Sequence, residues 1–550
     1  MKNLILLTAF SLYSALSFGQ FKESEAIDKI FEDWNQPNTP GCALGIIQNG
    51  ELVYAKGYGL ANMEYDIPNS ATSVFRIGST SKQFTAASIV LLVEQGKLSL
   101  DDKLSDYFPA FPEFAKTITV RHLLNHTSGI RDYLQLSFLK GLGDDDYYTD
   151  ENVMDWLVNQ ADLNFVPGEE FMYSNSGYWL LGQIVKEASG MNMADYAQKE
   201  IFEPLGMNDT HFHNDHTQIV KNRASGYLPI DESNYRISMT TLDMIGDGGI
   251  FTTVNDIKKW DNSYYKSEVL SRAFWNMMTT QGILNDGEVI EYASGLMVGE
   301  YKGLKTISHG GAFVGFRAEL FRFPDQELSI AVFANRGDAN PSKRAIQVAE
   351  ILLKDQFIEI EKGEVDQPKI EAPGEEFTIE QFVGAYEIQA GLVTSISIKD
   401  DQLNVLQKWN GNTYNIVKVS GNTYQIAGEE GLSFTFSDLV DGQTNLLTVL
   451  QGGEATKALR KVEVDLSGVK LTDYIGSYYS VELDVTYNLK LENEVLSVVI
   501  ADKQSFPSTL SGIDQFYLPV GLLRFQRTNG VISGFKMDSG RVKNLKFEKK

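Results

Sequence analysis

The stretch FRIGSTSKQFTAASIVLLVEQG, Phe75 to Gly96, decides how the rest of the chain is read. Its first half carries Ser79 and Lys82 in the pattern S-x-x-K; its second half, Phe84–Gln95, reads as a long apolar helix stopped by Gly96. Residues three apart share a helix face, so the lysine amine reaches the serine hydroxyl and can help remove its proton. The Ser79 N–H, unpaired in a first helical turn, is free to face a developing oxyanion. The pattern alone is weak, because Ser263–Lys266 and Ser467–Lys470 satisfy it too. What sets Ser79 apart is the small Gly78 before it and the buried helix expected after it.

Two further stretches carry chemistry. In PGEEFMYSNSGYWLLGQIVKEASG, Pro167 to Gly190, Tyr173 and Asn175 precede another apolar helix, and Tyr-x-Asn occurs once in the chain. A tyrosine beside an ammonium is biased towards phenolate, so it can serve as base on a serine and acid to a leaving group. A loop tyrosine ahead of a helix cap is the plainer alternative. In TISHGGAFVGFRAELFRFPD, Thr306 to Asp325, the run His309-Gly310-Gly311 is expected where a strand ends. Its glycines admit a substrate backbone, and the Ala312 N–H offers a second oxyanion donor. A glycine turn ahead of a strand gives the same pattern.

Taken together, the order S-x-x-K, Tyr-x-Asn, His-x-Gly resembles the serine penicillin-recognising family: class C β-lactamases, DD-peptidases, D-aminopeptidases and related esterases. HLLNHTSGI (His122–Ile130), GCALGIIQNGELVYAKGYG (Gly41–Gly59) and GDGGIFTTVNDIKKW (Gly246–Trp260) extend the resemblance over nearly all of residues 26–355. It implies an α/β (α+β) β-lactamase-like catalytic domain, an antiparallel sheet flanked by helices. It implies Ser79 as the acylated nucleophile, Lys82 and Tyr173 as the proton-transfer pair, and the N–H groups of Ser79 and Ala312 as the oxyanion hole. Asn175, His309 and Gly311 would face substrate, and neither cofactor nor metal is called for. One departure matters: the common third motif begins with a lysine that grips the carboxylate of penicillins and peptide C-termini, and His309 stands there instead. A similar His-x-Gly is found in D-aminopeptidases and some DD-peptidases. The best-fitting substrate is a small D-amino-acid peptide, cell-wall-derived peptides included. A carboxylesterase or weak β-lactamase is the alternative, and a non-catalytic penicillin-binding scaffold the reading from another class.

Outside this region the chain changes character. After a helix expected at Ser342–Phe357, residues 359–376 are acidic with Pro and Gly, the composition of a linker. Beyond it the sequence falls into short strand-like runs, and Phe382-Val-Gly384-Ala-Tyr386 is echoed about ninety residues later by Tyr474-Ile-Gly476-Ser-Tyr478. Two small antiparallel, lipocalin-like β-barrels are expected, at 377–463 and 464–550, behind a catalytic region at 20–358 that should fold without them. This layout resembles that of D-aminopeptidases, in which a loop of the last domain reaches the catalytic cleft.

The formal net charge of −25 over 550 residues excludes the basic surface a nucleic-acid partner needs. MKNLILLTAFSLYSALSFGQ reads as a signal peptide at 1–19 cut before Gln20, placing the protein in the periplasm or outside the cell with no stable membrane anchor. The single cysteine, Cys42, allows no internal disulfide and suits a core position. Nothing in the sequence specifies the oligomeric state.

THFHNDH, Thr210 to His216, resembles the zinc-binding motif of metallo-β-lactamase-fold hydrolases through His211, His213, Asp215 and His216. Such a site needs further histidines downstream. Only His309 follows, and His122 and His126 lie in a stretch that the serine family accounts for. A solvated loop is expected here rather than zinc.

Overall fold

Asn49 and Gly50 have φ of 51° and 82°, the double positive that a two-residue hairpin turn requires. They join β1 (Cys42–Gln48) to β2 (Glu51–Tyr58), the hairpin that the sequence predicts. The computed structural model describes residues 21–358 and 377–550, apart from 144–145, 232, 267, 390–391, 409–410, 427–431, 452–453 and 462–465. The signal peptide expected at 1–19 and the linker at 359–376 lie outside the described residues.

Four more strands complete the catalytic sheet: β3 (Met297–Tyr301), β4 (Leu304–Phe313), β5 (Phe316–Phe323) and β6 (Leu328–Ala334). The order is β3-β4-β5-β6-β1-β2, antiparallel throughout. β1 is buried on both faces, so its apolar run does not alternate with polar residues. Cys42, Leu44 and Ile46 face one side, where α1 (Ser24–Ile30) and the C-terminal helix contribute Ile27 and Val348. Ala43 faces the other side, towards the large core of the helical region.

That core is built around α2 (Lys82–Glu94), whose residues Lys82 to Val90 are all buried, and α3 (Asn175–Ser189) packed along it. Burial on every face over this span, polar Lys82, Gln83, Thr85 and Ser88 included, marks it as a core helix. α4 (Val254–Tyr265) crosses the sheet at Gly45, where a β-carbon would lie 2.2 Å from the Val254 Cγ1. α5 (Pro341–Leu352) covers the opposite face and ends five residues earlier than the sequence suggested.

The C-terminal half forms two all-β units. Eight strands, from Gly384–Gln389 to Glu454–Lys461, close a barrel with its own core. Nine strands form the second, whose sheet ends, Gln504–Pro507 and Thr509–Gly512, are separated only by Ser508, so it nearly closes. The sequence echo has a structural cause. The Tyr386 hydroxyl donates to Phe382 O at 2.9 Å, and the Tyr478 hydroxyl donates to Tyr474 O at 2.8 Å. Each pins the turn that leads into the first strand of its barrel.

Contrary to the expectation of a self-contained catalytic region, the second barrel shares its apolar core with the helical region. Arg131, with no side-chain exposure, meets Glu482 of the barrel at 2.5 Å. Its other N–H groups donate to Gln160 Oε1 and Lys543 O, and Glu482 Oε2 also accepts from Ala161 N. A buried pair this well satisfied holds only while both partners remain. Glu482→Ala should cost about 3–5 kcal/mol in chemical denaturation and expose the last barrel to protease. A loss under about 1 kcal/mol would show that docking does not depend on this pair.

Candidate active site

A 3-10 turn, Gly78–Ser81, precedes α2, so Ser79 stands one turn ahead of the α-helix rather than inside its first turn. Two glycines bring this turn against β4. Gly78 has φ of 51°, and a β-carbon there would lie 2.8 Å from Ala312 N; one on Gly311 would lie 1.9 Å from Ile77 O. The requirement for glycine at 311 therefore comes from the protein's own backbone. His309 to Ala312 lie within β4, not past its end. The result is a cleft of about 810 Å3 whose lining includes Ser79, Tyr173, Asn175, His309, Gly311 and Ala312.

Lys82 is fully buried at its floor. Its Nζ donates to Ser79 Oγ at 3.2 Å, to Asn175 Oδ1 at 2.8 Å and to Asp247 O at 2.6 Å, using all three donors of an ammonium. Deprotonated, the same amine could instead accept the serine proton. Asn175 opens α3, and its orientation is set by Asp132, whose Oδ2 accepts from Asn175 N at 2.8 Å and from Nδ2 at 3.0 Å. Arg541 of the second barrel pairs with that same carboxylate at 3.2 Å and lies 5.1 Å from the centre of the Tyr173 ring. Tyr173 sits with its ring centre 4.8 Å from Lys82 Nζ, and its hydroxyl has no hydrogen-bond partner among the described residues.

Sequence reading missed Asp132, Asp247, His126, Tyr292 and Arg541. Asp132 and His126 belong to or follow the HLLNHTSGI stretch, but no local pattern says what they touch. The His126 ring packs 4.2 Å from Tyr173 and 4.5 Å from Tyr292, and its Nδ1 accepts from Ser174 N. Burial and the nearby Lys82 hold His126 well below its usual pKa. His309 is likewise pulled down, to about 4, by burial and Lys82. It lies 2.9 Å from the Tyr292 hydroxyl through Nε2 and 2.6 Å from Gly310 O through Nδ1, contacts that a neutral ring with the proton on Nδ1 satisfies. His309 does not replace the charge of a lysine.

The histidines of Thr210–His216 turn to separate partners. His211 and His213 meet each other at 3.2 Å and pack on Phe251, whereas His216 meets Asp243 at 2.9 Å. Asp215 accepts from Thr217. Among the described residues no group of three or more His, Cys, Asp or Glu is placed to hold a metal ion.

The β-lactamase family profile matches residues 26–353. The chain belongs to the β-lactamase family. It is 30% identical over 395 residues to penicillin-binding protein 4* of Bacillus subtilis (strain 168), covering 68% of this chain and 86% of that one. It is 26% identical over 492 residues to a D-aminopeptidase of Brucella anthropi, covering 88% and 87%. Among solved structures, the octameric penicillin-binding protein homologue from Pyrococcus abyssi aligns with a TM-score of 0.55 and 26% identity, over 80% of this chain and 99% of that one. A D-amino acid amidase from Ochrobactrum anthropi SV3 shares the fold, with a TM-score of 0.52 and 24% identity over 60% and 99%. The protein is thus a serine hydrolase of the β-lactamase fold. Among its described residues no helix is long and apolar enough to cross a membrane.

Beside the cleft floor of this β-lactamase-family enzyme lies Glu319, paired with Gly310 across β4 and β5. Its Oε2 accepts from Ser342, its Oε1 has no partner, and burial raises its pKa from 4.5 to about 7. The fold therefore favours the protonated acid. The stability it lends is complete below about 4.5 and is lost as the pH rises through about 7. Glu319→Gln keeps the neutral shape, so it should unfold about 1–3 kcal/mol harder than the parent at pH 8 and about equally at pH 4. Denaturant titrations at the two pH values check this; an equal difference at both would contradict a buried neutral acid.

Proposed function

We propose that this chain is an exported serine hydrolase that cleaves amide or ester bonds through an acyl-enzyme on Ser79, best suited to small peptides or amides of D-amino acids. The observation that carries the reading is the buried Lys82 amine, 3.2 Å from Ser79 Oγ and held by Asn175 and Asp247 O at the floor of an open cleft. In this reading Ser79 Oγ attacks the substrate carbonyl and passes its one proton to the Lys82 amine in its uncharged form, from which Tyr173 relays it to the leaving group. The N–H groups of Ser79 and Ala312 hold the oxyanion. The leaving amine or alcohol takes the proton, and water then reverses the sequence to release the acyl group. Asn175, His309 and Gly311 face the substrate.

The substrate class rests on two supports. The D-aminopeptidase of Brucella anthropi aligns over 88% of the chain, barrels included. His309, kept neutral, lacks the charge with which a lysine would grip the carboxylate of a penicillin. Arg541 at the cleft wall brings the last barrel beside the substrate, which supports a small substrate. Export rests on the apolar N-terminal run from Leu4 to Leu16. An ester-cleaving enzyme is the second reading, since the same geometry serves either leaving group.

Ser79→Ala should lower hydrolysis of D-alanine p-nitroanilide and p-nitrophenyl butyrate by about 10⁴-fold or more. A chelator should leave the parent rate unchanged. Turnover above a trace in Ser79→Ala, or loss of activity with EDTA and its return with zinc, would overturn the reading.

A further inference from the structure

Among the described residues, Arg76 is a buried cation of the cleft with no hydrogen-bond or ion-pair partner. It sits on a two-residue strand, Phe75–Arg76, paired with Phe251, three residues ahead of Ser79. The residue is 6% exposed, and its Nε has no hydrogen-bond partner. Its guanidinium lies 4.9 Å from the Phe313 ring centre and 5.8 Å from that of Phe251, which orient it without neutralising it. Among the described residues it forms no ion pair. It borders both the main cleft and a small cavity behind it, lined by His213, His216 and Arg223.

The other charged groups of the main cleft meet protein partners, Asp338 with Arg336 among them, whereas Arg223 of the small cavity is exposed. Arg541 is committed to Asp132, and Arg317 donates to the carbonyls of Val314 and Phe316. Lys82 is used by Ser79, Asn175 and Asp247 O. Asp247 and Asp243 attract Arg76 only at longer range: Asp247 Oδ2 accepts from Tyr133, and Asp243 is engaged by His216. Burial lowers the Arg76 pKa to about 10, which leaves it charged at neutral pH. A buried guanidinium is costly unless an anion meets it, and native proteins rarely keep one unmet. No described anion lies within ion-pair distance of Arg76, and the larger of the two openings it borders is the cleft that holds Ser79.

We propose that Arg76 is a subsite for a carboxylate carried by the substrate, standing at the Phe313 end of the cleft. A guanidinium presents a planar fork that a carboxylate matches with two hydrogen bonds. The proposal rests on the reading of Ser79 as the acylated residue and narrows its substrates to those bearing an anion.

Calorimetry on full-length Ser79→Ala protein, which would bind without cleaving, provides the test. One pair of ligands, D-glutamate p-nitroanilide and D-glutamine p-nitroanilide, differs by a carboxylate on the acyl side. A second, D-alanyl-D-alanine and its C-terminal amide, differs by a carboxylate on the leaving side. The anionic member of one pair should bind at least about tenfold tighter. Adding Arg76→Gln should bring that ratio below about threefold, and Arg76→Lys should keep an intermediate ratio. Equal affinities in both pairs, no binding by any member, or a preference that survives Arg76→Gln would overturn the proposal. If Arg76→Gln does not fold, the ratios in Ser79→Ala alone and with Arg76→Lys still decide it. Failure of the hydrolase reading would show separately, as parent protein that turns over neither member of a pair.

Discussion

An amine with no access to water must have its donors met inside the protein, and Lys82 is that amine. Its three acceptors come from three parts of the chain: Ser79 from the turn before α2, Asn175 from the start of α3, and Asp247 O from the loop before Ile250. Each is anchored in turn. Asp132 orients Asn175, and Thr85 of α2 donates to Gly246 O at 2.6 Å, tying the loop to the helix. One buried amine therefore ties the turn, the two helices and the loop together, so fold and chemistry share one constraint.

The same constraint reaches into the last barrel. Arg541 pairs with the carboxylate that orients Asn175, which in turn holds Lys82. The barrel is fastened by Arg131 and Glu482, buried on both sides. Tyr487 donates to Leu139 O, and Gln135 donates to Ser539, closing the seam. A domain that looks appended in the sequence is therefore continuous with the electrostatics of the cleft. The first barrel, with its separate core, has no comparable part in the site as described.

Much of this was legible beforehand, for identifiable reasons. Ser79, Lys82, Tyr173, Asn175 and His309 each sit in a short pattern whose spacing matters, and the structure places Ser79, Tyr173, Asn175 and His309 at one cleft with Lys82 bonded to two of them. The hairpin at Asn49-Gly50 and the barrel repeat were legible because turn chemistry is local. What escaped was everything joined across long separations. Asp132 lies 43 residues from Asn175 and 409 from Arg541, and no periodicity links them. The 3-10 turn at Ser79 escaped because the apolar run gives no sign of where α-helical hydrogen bonding begins. THFHNDH carried no zinc site in the sequence reading, which expected a solvated loop; the structure instead pairs His211 and Phe212 with Phe251 and Ile250 and buries His213, while His216 turns to Asp243.

The central claim is that Lys82 activates Ser79, and covalent labelling addresses it most directly. Parent protein and Lys82→Met should be treated with a fluorophosphonate and followed by intact mass and peptide mapping. A single adduct on Ser79, forming about a hundredfold more slowly or worse in Lys82→Met, is the predicted result. An adduct on another residue, or equal labelling rates in a folded Lys82→Met protein, would contradict the account.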